Sequence, residues 1–300
     1  MTAPIASDPV SRPSVGRRLA AFFHRRPRAA LAVLLAPPLG WLLIAYIGSL
    51  ALLLVNAFFR IDPFTTDIVP EPGLQNFERM LDQEVYRVIA VRTVLTAVAV
   101  TVSTAILAFP IAYYMARKAT PRIRGLMVVA ILLPLWASYL VKVYAWRVIL
   151  AEDGILNWAL APLGLRGPGF GDVAVWLVFT YLWLPYMILP IYAGLERIPD
   201  SLLEASSDLG ARGSTTIRRV ILPLAFPAVV AGSIFTFSLT LGDYIAPQLV
   251  SSTQFIGSVI YSQVGSSGNI PFAAAYATVP ILIMVVYLLL ARRLGAFEAL

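Results

Sequence analysis

An acidic residue beside an aromatic one, Asp243-Tyr244, has the clearest capacity for chemistry in a long apolar part of the chain. A carboxylate next to an aromatic ring can hold an ammonium group by charge attraction and by cation–π contact. An ionisable side chain inside an apolar segment is costly to bury and therefore marks a functional position. Pairing with Lys142 or Arg147 would give Asp243 a structural role instead. The sequence leaves both interpretations open.

A second group of candidates surrounds the two cations of the 126–150 segment. On a helix with 100° per residue, these two cations, Lys142 and Arg147, share an arc of about 140° with several aromatic residues. Such a face can line a substrate path, or it can pack in the bundle with its rings and long cations anchored at the membrane interface. Glu152, just beyond this segment, is either part of the path or a solvated loop residue. The face consists of Trp136, Tyr139, Lys142, Val143, Trp146 and Arg147.

The residues needed for common catalytic sites are missing. The chain has no cysteine and one histidine, His24, which lies in a basic run. Thiol nucleophiles, zinc thiolate sites and paired histidine ligands are therefore excluded. Its two lysines, Lys118 and Lys142, do not follow a glycine, so no phosphate-binding loop is present. We expect the chain to be non-catalytic and to bind no cofactor, so any ATP and Mg²⁺ must be used by another subunit.

Composition indicates which elements position these residues. Of the 300 residues, 59% are hydrophobic and 13% are charged, whereas soluble domains contain about 25% charged residues. A helix needs about 20 apolar residues to cross a bilayer. We therefore predict an all-α membrane protein with a basic N-terminal arm, residues 1–28, and a transmembrane domain, residues 29–300. The six predicted spans cover about 29–59, 91–116, 126–150, 173–195, 224–245 and 272–291.

The distribution of charge predicts the orientation. The net charge of +7 could suggest nucleic acid, but the cations lie at the edges of predicted spans. The arm 1–28 and the 117–124 loop are basic, whereas the 60–90 loop is acidic and the 246–271 loop has no lysine or arginine. Basic loops stay in the cytoplasm. We therefore expect a multi-pass membrane protein with both termini in the cytoplasm and no nucleic-acid partner.

The predicted cytoplasmic loop 196–223 carries four acids and four arginines, which is more than a topology signal requires. Ser201 and Glu204 have capping-box spacing after Pro199, and Gly210 can end a helix in the left-handed conformation. A second short helix follows Gly213 and runs into the fifth span. The loop either lies on the lipid surface or inserts into a groove of a partner protein. Its balanced charge disfavours the lipid surface.

The same loop carries the motif Glu204-Ala205-Ser206, three residues, Gly210, nine residues and Val220-Ile221-Leu222-Pro223. This motif resembles the signature loop of the permease subunits of bacterial ABC importers, which has alanine in place of Ser206 and isoleucine in place of Val220. The resemblance implies a six-helix importer bundle of the bacterial inner membrane whose coupling helices dock onto ATP-binding subunits. Within it, Glu204, Ala205, Ser206 and Gly210 would form the docking surface.

The resemblance extends along most of the chain, through Leu132–Leu150, Glu152–Asn157 and Leu241–Val250. These segments resemble the first permease of spermidine/putrescine-type importers. The implied partners are a second permease, two ATP-binding subunits and an extracytoplasmic solute-binding protein. The implied substrate path includes Asp243, Tyr244 and the nearby aromatic residues. A permease for another small organic solute is the first alternative, and an ion-coupled secondary transporter is the second.

Overall fold

A computed structural model describes residues 27–62, 64–65 and 67–294. The chain divides into two compact units, Met1–Val55 and Asn56–Leu300. Nearly all of the predicted basic arm 1–28 lies outside the described residues, so the structure does not test the role of its arginines.

The first unit consists mainly of one long apolar helix. Its candidate span is 27 residues long, which corresponds to about 40 Å at 1.5 Å per residue and is enough to cross a bilayer. Large apolar side chains such as Leu34 and Ile44 are exposed, as expected for a surface in contact with lipid. The helix is made of α1 (Pro27–Trp41), a π-helical segment (Leu42–Ile47) and α2 (Gly48–Asn56).

A small hairpin and a short helix begin the second unit. Strand β1 (Arg60–Ile61) pairs antiparallel with β2 (Ile68–Val69), which adds a two-stranded sheet that the all-α prediction did not contain. Arg60 Nε donates to Glu71 Oε2 at 2.7 Å, and this hydrogen bond lowers the pKa of the Glu71 carboxyl. Helix α3 (Gln75–Asp82) follows the hairpin.

The rest of the second unit is helical, with four long helices, one bent pair and several short segments among the described residues. The helices are α4 (Glu84–Arg117), α5 (Pro121–Trp136), α6 (Tyr139–Leu150), α7 (Ile155–Leu160), α8 (Asp172–Glu196), α9 (Asp200–Asp208), α10 (Gly213–Thr216), α11 (Leu222–Gly242), α12 (Ile245–Val250), α13 (Ile256–Gly265) and α14 (Ile270–Arg293).

Helices α4 and α8 form the centre of the bundle and run parallel to each other. Arg92, in the third turn of α4, lies 3.7 Å from Asp172 in the first turn of α8. Near the last turns of the two helices, Met115 shares a core cluster with Leu195. Helix α11 packs against both of them, and it runs in the opposite direction because Ala228, early in α11, faces Gly194 near the end of α8. Small side chains form most of the buried stripe of α4, so the backbones can approach closely. The stripe begins with the larger Tyr86 and Ile89 and continues with Thr93, Ala97, Val100, Thr104, Ala108, Ala112 and Met115.

The third predicted span, 126–150, is wrong as a single helix. Helices α5 and α6 meet at 93°, because Ala137 and Ser138 have extended backbones with ψ of 142° and 135°. Pro134 has already weakened the last turn of α5, since proline provides no backbone N–H to the helix ladder. Hydropathy averaged over a window does not detect a bend between two apolar segments.

The other predicted spans have matching helices with shifted ends. Spans 173–195 and 272–291 agree with α8 and α14 to within two residues. The second span, predicted to begin at about residue 91, begins earlier, at Glu84. The fifth forms one candidate span with α10, Gly213–Gly242, so Asp243 lies just beyond its end. Counting the bent pair as one span, the described residues contain up to six candidate spans.

Glycines on α8 and α11 allow these helices to pack closely. A Cβ added at Gly194 would lie 2.4 Å from the Cβ of Ala228, whereas a Cβ added at Gly125 of α5 meets no atom of this chain within 4 Å. We predict that Gly194→Ala lowers the free energy of unfolding by about 1–3 kcal/mol, because it overpacks the α8–α11 contact. Thermal unfolding of the detergent-purified protein measures the change.

Gly125→Ala is the matched control, since it adds the same methyl group where there is space. We expect its melting temperature to equal or slightly exceed that of the wild type, because alanine has the higher helix propensity. Equal melting temperatures for the two variants would show that the α8–α11 contact relaxes without cost.

Candidate functional site

The first candidate region is the loop 196–223, which contains the two predicted short helices. Helix α9 ends at Asp208, and Gly210 follows with φ of +72°. The Gly210 N–H donates to Ser207 O at 2.8 Å, and the Ala211 N–H donates to Ser206 O at 3.1 Å. These two bonds form a Schellman motif, which satisfies the last carbonyls of the helix. The prediction that Gly210 ends the helix is therefore confirmed.

The predicted start of α9 is wrong by two residues, because the observed N-cap is Pro199 and the capping box would require Ser201. The helix begins at Asp200 after Pro199, whose backbone is extended, and no side chain caps it. The Ser201–Glu204 capping box is therefore not formed. Pro199 and Asp200 determine where the helix starts. The residue before a proline disfavours the helical conformation, so the helix does not continue to the N-terminal side of Pro199, and an acidic side chain such as Asp200 is favourable in the first turn.

Helix α9 turns one face outward and one face toward α10. Glu204 and Ala205 are exposed, and the apolar Leu209 is 88% exposed. Glu204 forms no ion pair with any described residue. Ser206 is buried, and its hydroxyl lies 2.9 Å from the hydroxyl of Thr216 on α10. The outer face therefore presents a free carboxylate among apolar groups, while Ser206 holds the two short helices together.

The second candidate region surrounds Asp243, at the break between α11 and α12. Asp243 Oδ1 accepts hydrogen bonds from the Ile245 N–H at 2.8 Å and the Ala246 N–H at 3.1 Å. The Tyr139 hydroxyl donates to Asp243 Oδ2. No lysine or arginine among the described residues pairs with this carboxylate. The alternative partners Lys142 and Arg147 are therefore not observed.

A cavity of about 300 Å³ lies beside Asp243. Trp183 of α8 forms part of its wall and stacks on the Tyr139 ring, with centroids 6.1 Å apart. Tyr244 also lines the cavity and stacks on Tyr261 at 4.4 Å. A carboxylate beside aromatic rings can bind an organic cation by charge attraction and cation–π contact. The lining residues are Trp183, Ser238, Leu239, Gly242, Asp243, Tyr244 and Ile245.

The remaining predicted path residues lie apart from this cavity. Trp136 ends α5 before the bend and is 89% exposed, so it does not share a face with Tyr139. Trp146 packs against Tyr181 at 5.5 Å. Glu152 is exposed in the turn after α6, where its carbonyl accepts from the Asn157 side chain at 3.0 Å. Trp146 and the buried Val143 support the packing interpretation of the α6 face.

Sequence reasoning missed two features of this region. Trp183 looked like one of many apolar residues in the fourth span, yet it joins Tyr139 to the cavity. Gly257 of α13 would place a Cβ 2.7 Å from the Asp243 carbonyl, so only glycine permits α13 to pack on the break. An aromatic residue in an apolar span carries no local signal of such a role.

Comparisons with known proteins agree with this architecture. The family described as "Binding-protein-dependent transport system inner membrane component" matches residues 91–297. The inner membrane ABC transporter permease protein YdcU of Escherichia coli (strain K12) is 48% identical over 306 residues, 97% of each chain. The spermidine/putrescine permease PotB of Haemophilus influenzae is 34% identical over 176 residues, which cover 57% of this chain and 61% of PotB.

A bacterial alginate ABC transporter, solved in complex with an alginate pentasaccharide-bound periplasmic protein, has the same fold. The TM-score is 0.70 at 17% identity, covering 94% of this chain and 98% of the solved chain. The predicted importer-permease bundle is therefore confirmed. The chain belongs to the family of binding-protein-dependent transport system inner membrane components, and it is a multi-pass permease subunit of an ABC importer.

Proposed function

We propose that this permease imports polyamines of the spermidine/putrescine class, delivered by an extracytoplasmic binding protein. The carrying observation is the Asp243 carboxylate, which borders an aromatic cavity and has no cationic partner among the described residues. The likeness to PotB supports the same class of substrate. An ammonium group entering the cavity would add a charge-assisted contact to the Tyr139 hydrogen bond. Another small organic solute is the second candidate, and an ion-coupled mechanism does not fit this family.

The same proposal assigns the 196–223 loop to docking of the ATP-binding subunits. Glu204, Ala205 and the exposed Leu209 would enter a groove of the ATPase, with Gly210 and Ser206 giving the protruding helix pair its shape. ATP and Mg²⁺ would be bound by two ATPase copies, and this chain would perform no catalysis. A second permease would complete the membrane channel. The loop and both termini would lie in the cytoplasm.

One continuous helix joins the two candidate regions. Residues Gly213–Gly242 form a single candidate span of 30 residues, about 45 Å long at 1.5 Å per residue. It begins at the docking loop and ends at the break beside Asp243. Movement of the loop can therefore be transmitted to the cavity through one rigid element, as alternating access requires.

We predict that Glu204→Lys weakens retention of the ATPase on the permease by about tenfold or more, because losing one charged contact in a desolvated interface costs about 2–5 kcal/mol. Co-purification of the ATPase with the tagged permease measures it. Glu78→Lys on α3 makes the same change at an exposed position at the other end of the bundle and serves as control. Equal ATPase recovery in both variants would refute the docking assignment.

We predict that Asp243→Asn lowers polyamine uptake by about tenfold, since one lost ionic contact of about 1.4 kcal/mol corresponds to that factor. Uptake of labelled putrescine and spermidine into vesicles holding the complete transporter measures the effect. Asp153→Asn, on an exposed turn, is the matched control. Unchanged kinetics for Asp243→Asn remove this residue from the path, and competition by an uncharged diol of equal length would contradict the polyamine assignment.

The orientation can be tested directly because the chain has no cysteine. Leu209 and Phe64 are 88% and 94% exposed at opposite ends of the bundle, so each can carry a single introduced cysteine. In intact spheroplasts, a membrane-impermeant maleimide should label Phe64→Cys. It should label Leu209→Cys only after the membrane is permeabilised. The reverse pattern would overturn the proposed orientation and, with it, docking from the cytoplasm.

A further inference from the structure

Arg117, the last residue of α4, makes an unusual set of contacts. Its side chain is only 11% exposed. One terminal nitrogen donates to Asp200 Oδ1 at 2.7 Å. The other donates to the carbonyls of Leu195 and Ile198, both at 2.6 Å. One guanidinium therefore joins the end of a central span to the end of α8 and to the first turn of α9.

The geometry explains why arginine is suited to this position. The last carbonyls of a helix have no partner within it, and the planar guanidinium presents several donors in a fixed arrangement. Asp200 is 81% exposed, so its ion pair alone would contribute little. The two partly buried carbonyl contacts hold Arg117 in place, and Asp200 then attaches α9 to it. A lysine can provide charge but not this planar fork of donors.

A second arginine connects the same helix ends near the base of α9. Arg124, in the first turns of α5, donates from Nε to Met115 O at 3.0 Å and from Nη1 to Glu196 Oε1 at 3.3 Å. Glu196 also accepts from the Tyr192 hydroxyl. The ends of α4, α5 and α8 are thus tied together at the base of α9. The outer face of α9 remains exposed.

We propose that Arg117 is a positioning residue that transmits movement of α9 to the central spans. This inference rests on the proposed docking of an ATPase on the 196–223 loop. Glu204 would contact the ATPase on the outer face of α9, while Arg117 attaches the start of α9 to α4 and α8. Helices α4 and α8 pack together more extensively than any other pair in the described part of the chain. A displacement of α9 is therefore carried into both spans at once rather than lost by bending the Ile198-Pro199 connection.

The test uses the complete transporter, with both permeases, the ATPase and the binding protein, reconstituted in proteoliposomes. Arg117→Gln should leave the amount of ATPase bound to the complex unchanged. It should reduce the number of solute molecules imported per ATP hydrolysed by about fivefold or more, the lower end of typical coupling between two sites. Arg117→Lys should give an intermediate value, because it keeps the charge and loses the double carbonyl contact.

Arg122→Gln is the matched control, because Arg122 is an exposed arginine in the first turn of α5, close to Arg117 in sequence. It should retain the wild-type transport-to-ATP ratio. If Arg117 serves only to stabilise the fold, Arg117→Gln will lower assembly, ATPase rate and uptake together and leave the ratio unchanged. That result overturns the inference. Failure of the wild-type chain to bind any ATPase would instead overturn the proposed function on which the inference rests.

Discussion

Backbone groups at helix ends must find partners, and this constraint shapes both candidate regions. Water is scarce inside a membrane bundle, so an unpaired N–H or C=O there is costly. The chain meets this requirement with polar side chains, some from distant elements and some from the residues next to the helix end. Arg117 donates to carbonyls at the end of α8, and Asp243 accepts the first N–H groups of α12. Thr93 likewise accepts the Ile256 N–H at 3.1 Å.

This constraint links structural breaks to function. At two of these helix ends the side chain that completes the hydrogen bonds is charged, Asp243 at the start of α12 and Arg117 at the end of α8. At Asp243 the result is a carboxylate beside an aromatic cavity. At Arg117 the result is a firm attachment between a protruding helix and the central spans. The two charged residues at these helix ends are therefore the ones to which we assign substrate binding and the transmission of movement.

Close packing provides the rigidity that such an attachment requires. Gly194 faces Ala228, and Gly232 faces Met187, where an added Cβ would lie 2.8 Å from its sulfur. Helices that touch at their backbones move as units more readily than helices separated by long flexible side chains. Ala228 and Gly232 both lie on the helix Gly213–Gly242, so these contacts join that helix to α8. In the proposed mechanism, a displacement at the loop end would reach the break beside Asp243 through this helix.

Local patterns in the sequence determined the membrane class, the turn at Gly210, the family and all spans except the bent third one. Hydropathy, charge and a short motif carry this information because each depends only on neighbouring residues. The bend at Ala137-Ser138 and the contacts of Arg117 were decided only by tertiary structure. Tyr139 and Asp243 are 104 residues apart, and Arg117 and Asp200 are 83 apart. Whether such residues meet depends on how whole helices pack, and Arg117 looked like one more cytoplasmic charge until its partners were seen.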